Sequence, residues 1–174
     1  MSPSAQNGGL QRDDSPSLKA TAQQGGEFMI QVPRDDIIIM LEAGYITLAM
    51  RKFKEARAIF EGVCELVPQH DVPQVGVANV LFAQGKFLET VRILKQTIKE
   101  NPTSAYAYSH LGEAYLFYNK RDDALKALKK ASDLEPTKEG RSGEFARSLI
   151  ELINLGYDPA QYRKAYKTFV EEKG

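Results

Sequence analysis

The chain has 174 residues, with 23 Lys+Arg against 23 Asp+Glu, so its formal net charge is zero. That length suffices for one domain with a real core, while the neutral balance argues against binding to nucleic acid or to anionic membranes. A single cysteine, Cys64, excludes an internal disulfide and favours a reducing compartment. No stretch approaches the roughly 20 apolar residues of a membrane span. The N-terminus lacks a basic start followed by an apolar run, so no secretory signal and no membrane insertion are expected, and a cytoplasmic location is.

Residues 1–33 are rich in Ser, Gln, Gly and Pro and show little periodic apolar pattern. Such a stretch buries too little apolar surface to offset its ordering entropy, which predicts a flexible N-terminal arm. Its end, Phe28-Met29-Ile30-Gln31-Val32, is apolar and predicts a segment that docks on the first helix or enters a groove. From Asp35 the pattern turns helical, with Asp35 or Asp36 as the cap and the helix running to about Met50. A turn at Arg51-Lys52 leads to a helix over Phe53–Val67. Two similar units follow. One has helices over Asp71–Ala83 and Phe87–Asn101 around Gln84-Gly85-Lys86; the other has Thr103–Tyr118 and Arg121–Leu134 around Asn119-Lys120. Gly85 suits a left-handed helix end, and Asn119 can take the same role. A polar break over 137–143 precedes a helix over Glu144–Leu155, with Phe145, Leu149, Leu152 and Ile153 on one face. Gly156-Tyr157-Asp158-Pro159 is a stop-and-restart signal, after which a last helix carries Tyr162, Tyr166 and Phe169 on one stripe.

Pro68, Pro102 and Pro136 lie 34 residues apart, each just after a helical run. Proline lacks the N–H a helix needs and disfavours helix in the residue before it, so the three mark helix ends in a repeating array. Aligned on them, the units begin at Ile37, Asp71 and Ala105 and cover 37–70, 71–104 and 105–138. The eighth place holds Gly44, Ala78 and Gly112, where small residues let two helices approach. The seventh holds Ala43, Val77 and Leu111; the twentieth Ala56, Thr90 and Ala124; the twenty-fourth Phe60, Leu94 and Leu128; the twenty-seventh Val63, Thr97 and Ala131.

This pattern resembles the tetratricopeptide repeat, a helix–turn–helix unit. Tyr108, Leu111, Gly112, Tyr115, Ala124, Leu128, Ala131 and Pro136 match it in the third unit, while the second departs at Gln74, Thr90 and Thr97. The resemblance implies an all-α fold. Three tandem repeats over 34–138 form a right-handed superhelical array, and a C-terminal capping helix pair follows within 139–174. It also implies a concave face lined by the first helix of each unit, at the second, fifth, ninth and twelfth places. These are Ile38, Leu41, Tyr45 and Leu48 in the first unit. They are Val72, Val75, Asn79 and Phe82 in the second, and Tyr106, Ser109, Glu113 and Leu116 in the third. The strip is largely apolar and aromatic, as a protein-binding surface would be. It lacks the Lys and Arg with which members of the family grip acidic chaperone tails.

Phe53, Ala56, Ile59, Phe60, Cys64 and Leu66, followed by Gly76 and Gly85-Lys86-Phe87, further resemble the first repeats of bacterial type III secretion chaperones. Those are cytosolic proteins that hold a needle or translocator subunit until export. The translocator type carries an added helix before its first repeat, which residues 1–33 do not resemble, so the pattern leans to the needle type. The partners implied are a secreted needle or translocator subunit, or a co-chaperone.

Nothing in the sequence points to catalysis. Cys64 falls on the buried face of its helix, one turn after Phe60, and reads as a packing thiol. It is separated from His70 by Pro68, with no third group to orient a nucleophile–base pair. The two histidines, His70 and His110, are too far apart in sequence to suggest a metal cluster, and no Gly-rich phosphate loop follows a strand. No cofactor, metal or enzymatic activity is expected.

Overall fold

The computed structural model describes residues 32–161. Seven helices are complete there: α1 (Arg34–Ala49), α2 (Phe53–Leu66), α3 (Asp71–Ala83), α4 (Phe87–Glu100), α5 (Ala105–Phe117), α6 (Arg121–Leu134) and α7 (Arg141–Asn154). Residues 159–161 open a further helical turn. Most of the expected arm, and the stripe of Tyr162, Tyr166 and Phe169, lie outside the described residues.

Helices α1 and α2, α3 and α4, and α5 and α6 pair as three hairpins. Helix α3 also packs on α2, α5 on α4, and α7 on both α5 and α6. The sequence explains the division of labour. The first helices are apolar around most of their circumference, as α3 shows by burying Val75, Gly76, Val77, Ala78, Val80 and Leu81. The second helices carry one buried stripe, such as Ala56, Phe60 and Val63 on α2, and turn charges outward.

Each proline leaves the same mark. Helices α2, α4 and α6 stop two residues before it, and the residue between is held outside the helical region: Val67 (φ −134°, ψ 65°), Asn101 (φ −127°, ψ 75°) and Glu135 (φ −125°, ψ 76°). The first helices end alike too. Arg51, Gly85 and Asn119 adopt the left-handed conformation at φ 60°, 76° and 63°. Their N–H groups donate to the carbonyls of Leu48, Phe82 and Leu116. The following N–H groups, of Lys52, Lys86 and Lys120, donate to Thr47, Leu81 and Tyr115. This Schellman arrangement satisfies carbonyls the helix leaves open. Gly85 takes the conformation freely, whereas at Arg51 the Cβ makes it cost roughly 1 kcal/mol.

Three helix starts differ from expectation. Pro33 precedes α1 without a side-chain cap, and Asp35 and Asp36 lie inside the first turn, where their charge favours the helix N-terminus. Helix α5 starts at Ala105, because Ser104 caps it: the hydroxyl accepts from Ala107 N–H at 2.8 Å and donates to the Asp71 carboxylate. Helix α7 starts at Arg141, three residues earlier than predicted. The Glu135 carboxylate accepts from the N–H groups of Ser142 and Gly143 at 3.0 and 3.1 Å and so anchors that end. Arg147 donates to the Glu135 and Thr137 carbonyls, both at 2.9 Å, and Arg121 donates to the Ile153 carbonyl, fixing α7 at both ends.

The packing turns on small residues facing large ones. Phe60, Leu94 and Leu128 are fully buried. A Cβ at Gly44 would lie 2.7 Å from the Phe60 ring, one at Gly76 would lie 2.4 Å from it, and one at Gly112 would lie 2.4 Å from Leu128 Cγ. Thr90 and Thr97 fit their buried places because each hydroxyl donates to a carbonyl one turn back, Lys86 and Ile93 respectively.

Gly76→Ala and Gly112→Leu are each expected to lower unfolding free energy by roughly 1–3 kcal/mol through overpacking. Gly62→Ala on α2, where a Cβ meets nothing within 4 Å, is expected to raise it by roughly 0.5–1 kcal/mol through helix propensity. Urea titration of the three variants beside the parent checks the contrast.

Candidate functional site

The first helices share one face, and its middle is polar. The hydroxyls of Tyr45 on α1 and Tyr106 on α5 share a hydrogen bond at 2.7 Å. Asn79, on the intervening α3, interacts with both hydroxyls. Tyr45 also rests edge-on against Phe60, with ring centroids 4.9 Å apart, so the core sets the direction of its hydroxyl. Burial raises the pKa of both phenols above the usual tyrosine value. For Tyr106 the neighbouring Tyr45 adds to the rise, and Asp71 adds to it for both.

The predicted strip divides by depth. Ile38 is 41% exposed. It lines an apolar cleft at the α1–α3 end together with Ile37, Leu41, Val67, Val72 and Pro73, with Arg34 and His70 at its polar positions. Tyr45, Asn79, Tyr106 and Glu113 are partly accessible. Leu48 is half-buried against the cluster around Phe60. The Phe82 ring meets Phe87 and Phe117 edge-on, at 5.3 and 5.0 Å between centroids. Val75, Ser109 and Leu116 are buried. The Ser109 hydroxyl donates to the Tyr106 carbonyl instead.

The face also continues where the sequence pattern did not place it. A second apolar cleft is lined by Tyr106, Ser109 and His110 of α5 and by Arg141, Ser142 and Phe145 of α7. His110 stands edge-on to Tyr106, with centroids 4.7 Å apart, and its ring lies 6.0 Å from that of Phe145. Its Nδ1 lies 3.4 Å from Glu113 Oε2 without a hydrogen bond. Phe145 was visible as an apolar residue at helical spacing, but on a helix read only as a cap.

Cys64 is half-buried beside the Phe60 cluster. Burial, helped by the charges of Glu61 and Glu65, pushes its thiol up to about 11, so it is protonated near neutrality and a poor nucleophile. No group of three His, Cys, Asp or Glu among the described residues is placed to hold a metal ion. No described helix is long and apolar enough to cross a membrane.

Residues 81–143 match the family model described as tetratricopeptide repeat. That match takes in α4, α5 and α6. Tetratricopeptide repeat protein 17 of Mus musculus is 30% identical over 99 residues, a match covering 56% of this chain and 8% of that protein. The chain thus spans less than a tenth of the mouse and human proteins it matches. Among solved structures, PcrH from Pseudomonas aeruginosa superposes with a TM-score of 0.60 at 15% identity, over 71% of this chain and 95% of that one. The type III secretion translocator chaperone SycD of Yersinia enterocolitica gives 0.59 at 16% identity, over 67% and 89%. PcrH in complex with the chaperone binding region of PopD gives 0.58 at 16%, over 73% and 97%. At these identities the likeness is one of fold. Tyr45, Asn79 and Tyr106 meet on the face shared by α1, α3 and α5.

The raised phenol values have a direct consequence for stability. A group that ionises less readily folded than unfolded contributes fully below its unfolded pKa, here 10.0, and loses that contribution as pH rises toward the folded value. With Cys64 replaced by Ser, which removes the thiol's own loss of stability from about its ordinary value of 9.0, thermal stability is expected to be level to about pH 9 and to fall above about pH 10. In a Cys64→Ser background, the Tyr45→Phe/Tyr106→Phe pair should flatten that fall, as read from Tm against pH.

Proposed function

We propose that the chain is a protein-binding chaperone that covers an apolar segment of a partner polypeptide along its concave face. The observation that carries this reading is the pair of apolar clefts, at Ile38–Leu41–Val72 and at His110–Phe145, on either side of the Tyr45–Asn79–Tyr106 cluster. A segment with apolar side chains at its two ends would fill the clefts, with affinity coming mainly from the apolar area removed from water. The cluster between them offers polar contacts to the segment's backbone.

The partner we favour is an export substrate of a bacterial type III secretion system, a needle or translocator subunit held in the cytoplasm before export. The repeat resemblance around Phe60 and Gly76 supports this, as does the shared fold with SycD and with PcrH bound to a region of PopD. A second reading, a repeat scaffold that joins other proteins, is supported by the sequence similarity to tetratricopeptide repeat protein 17. Neither reading assigns the chain an enzymatic step.

Ile38→Glu and Phe145→Glu place a charge in each cleft at residues that are 41% and 37% exposed, sparing the core. Each is expected to weaken a stoichiometric complex with a co-expressed secreted subunit by at least about tenfold, with the helical circular dichroism and Tm of the free protein unchanged. Titration calorimetry on the purified pair measures it. Unchanged affinity in both variants would remove the concave-face assignment. Failure of any secreted subunit to form a complex, with other partners still captured through these clefts, would favour the scaffold.

A further inference from the structure

The two apolar clefts carry the same basic side chains. The cleft around Ile38 is lined by Arg34 and His70, and the cleft around Phe145 by Arg141 and His110. Those are the chain's only two histidines. Acidic and basic residues are equal in number along the chain, yet among the described residues no carboxylate lines either cleft. None of the four basic residues stands at the second, fifth, ninth or twelfth place of a repeat, so the periodic pattern passes over them.

These groups are also largely uncommitted. Among the described residues, the side chains of Arg34, His70 and Arg141 make no hydrogen bond or ion pair, even though Asp35 and Asp36 directly follow Arg34. The acids beside the histidines have other uses. Asp71 accepts from the Ser104 hydroxyl. Glu113 lies at the His110 Nδ1, which is buried, so Nε2 is the nitrogen a ligand can reach. A guanidinium donates two parallel hydrogen bonds to a carboxylate. An apolar cleft with such a group at its edge fits a large apolar side chain that has an acid next to it.

We propose that the partner segment carries an Asp or Glu beside each apolar side chain that enters a cleft. The carboxylates meet the basic side chains of that cleft, Arg34 and His70 at one end and Arg141 and His110 at the other. The inference deepens the concave-face reading and rests on it. It gives the face a charge preference: acids flanking the apolar anchors are attracted, Lys or Arg there is repelled, and a purely apolar segment leaves both guanidiniums unpaired.

The test uses the full chain and a library of random peptides displayed on phage. Selection is run on the parent and on Ile38→Glu/Phe145→Glu, in which both clefts are altered. Peptides enriched on the parent alone are expected to carry Asp or Glu adjacent or next-but-one to their large apolar residues. The leading sequence is then synthesised and titrated. Arg34→Glu/Arg141→Glu is expected to weaken it by about tenfold or more. Changing the peptide's acids to Lys should restore binding to that variant and abolish it with the parent. Both arginines are exposed, so the helical circular dichroism and Tm of the free variant should match the parent. Enrichment of apolar peptides without acids, or with Lys or Arg in their place, overturns the charge preference and leaves the concave-face reading standing. Equal enrichment on both proteins, or none on the parent, overturns the two together. So does a parent dimer that Ile38→Glu/Phe145→Glu dissociates, because a second copy then fills the clefts.

Discussion

The structure depends on one ring, that of Phe60. It is fully buried, and it lies in a slot between Gly44 of its own hairpin and Gly76 of the next. Its burial contributes roughly 1.5–3 kcal/mol by area alone. The larger consequence is geometric. Because both facing positions lack a Cβ, the same ring sets the approach of α1 to α2 and of α3 to α2. The ring also supports Tyr45 from below and so fixes where its hydroxyl points. Helix spacing and the position of the Tyr45 hydroxyl therefore rest on a common contact.

The other hairpins solve the same problem with different volumes. The third sets Leu128 against Gly112, and the second sets Leu94 against Ala78, all of them buried. This alternation was legible in the sequence, because it repeats at the same place in each period. The proline-terminated ends and the left-handed turns at Gly85 and Asn119 were legible for a related reason: both are dictated by one or two residues acting locally. Arg51 shows the limit. Its left-handed conformation follows from its place in the repeat, against the preference of its own side chain.

The proposed binding face was legible in phase but not in depth. The second and ninth places, among them Ile38, Tyr45, Asn79 and Tyr106, carry accessible surface, while Val75 and Ser109 at the fifth place and Leu116 at the twelfth are buried. Fifth and twelfth places lie nearer the buried side of each first helix. There, neighbours on both sides close over them in α3 and α5, and α1 lacks one of those neighbours. Periodicity gives the angle around a helix; how many elements press on that angle is a tertiary property. The start of α7 was hidden for a similar reason. It is fixed by the Glu135 carboxylate reaching seven and eight residues ahead, a contact that no periodic pattern encodes.

The bond between Tyr45 and Tyr106 joins residues 61 apart, on helices that do not otherwise pack on each other. A repeat array is ordinarily a line of nearest neighbours, in which an end unit can open while the rest stays folded. This bond skips a unit. Opening the first hairpin breaks a contact held by the third, so loss of one end is felt two units away, and the three hairpins behave less like beads on a line than like the members of a braced arch. The bond thus adds a direct link between the first and third hairpins to the packing of α3 against both α1 and α5.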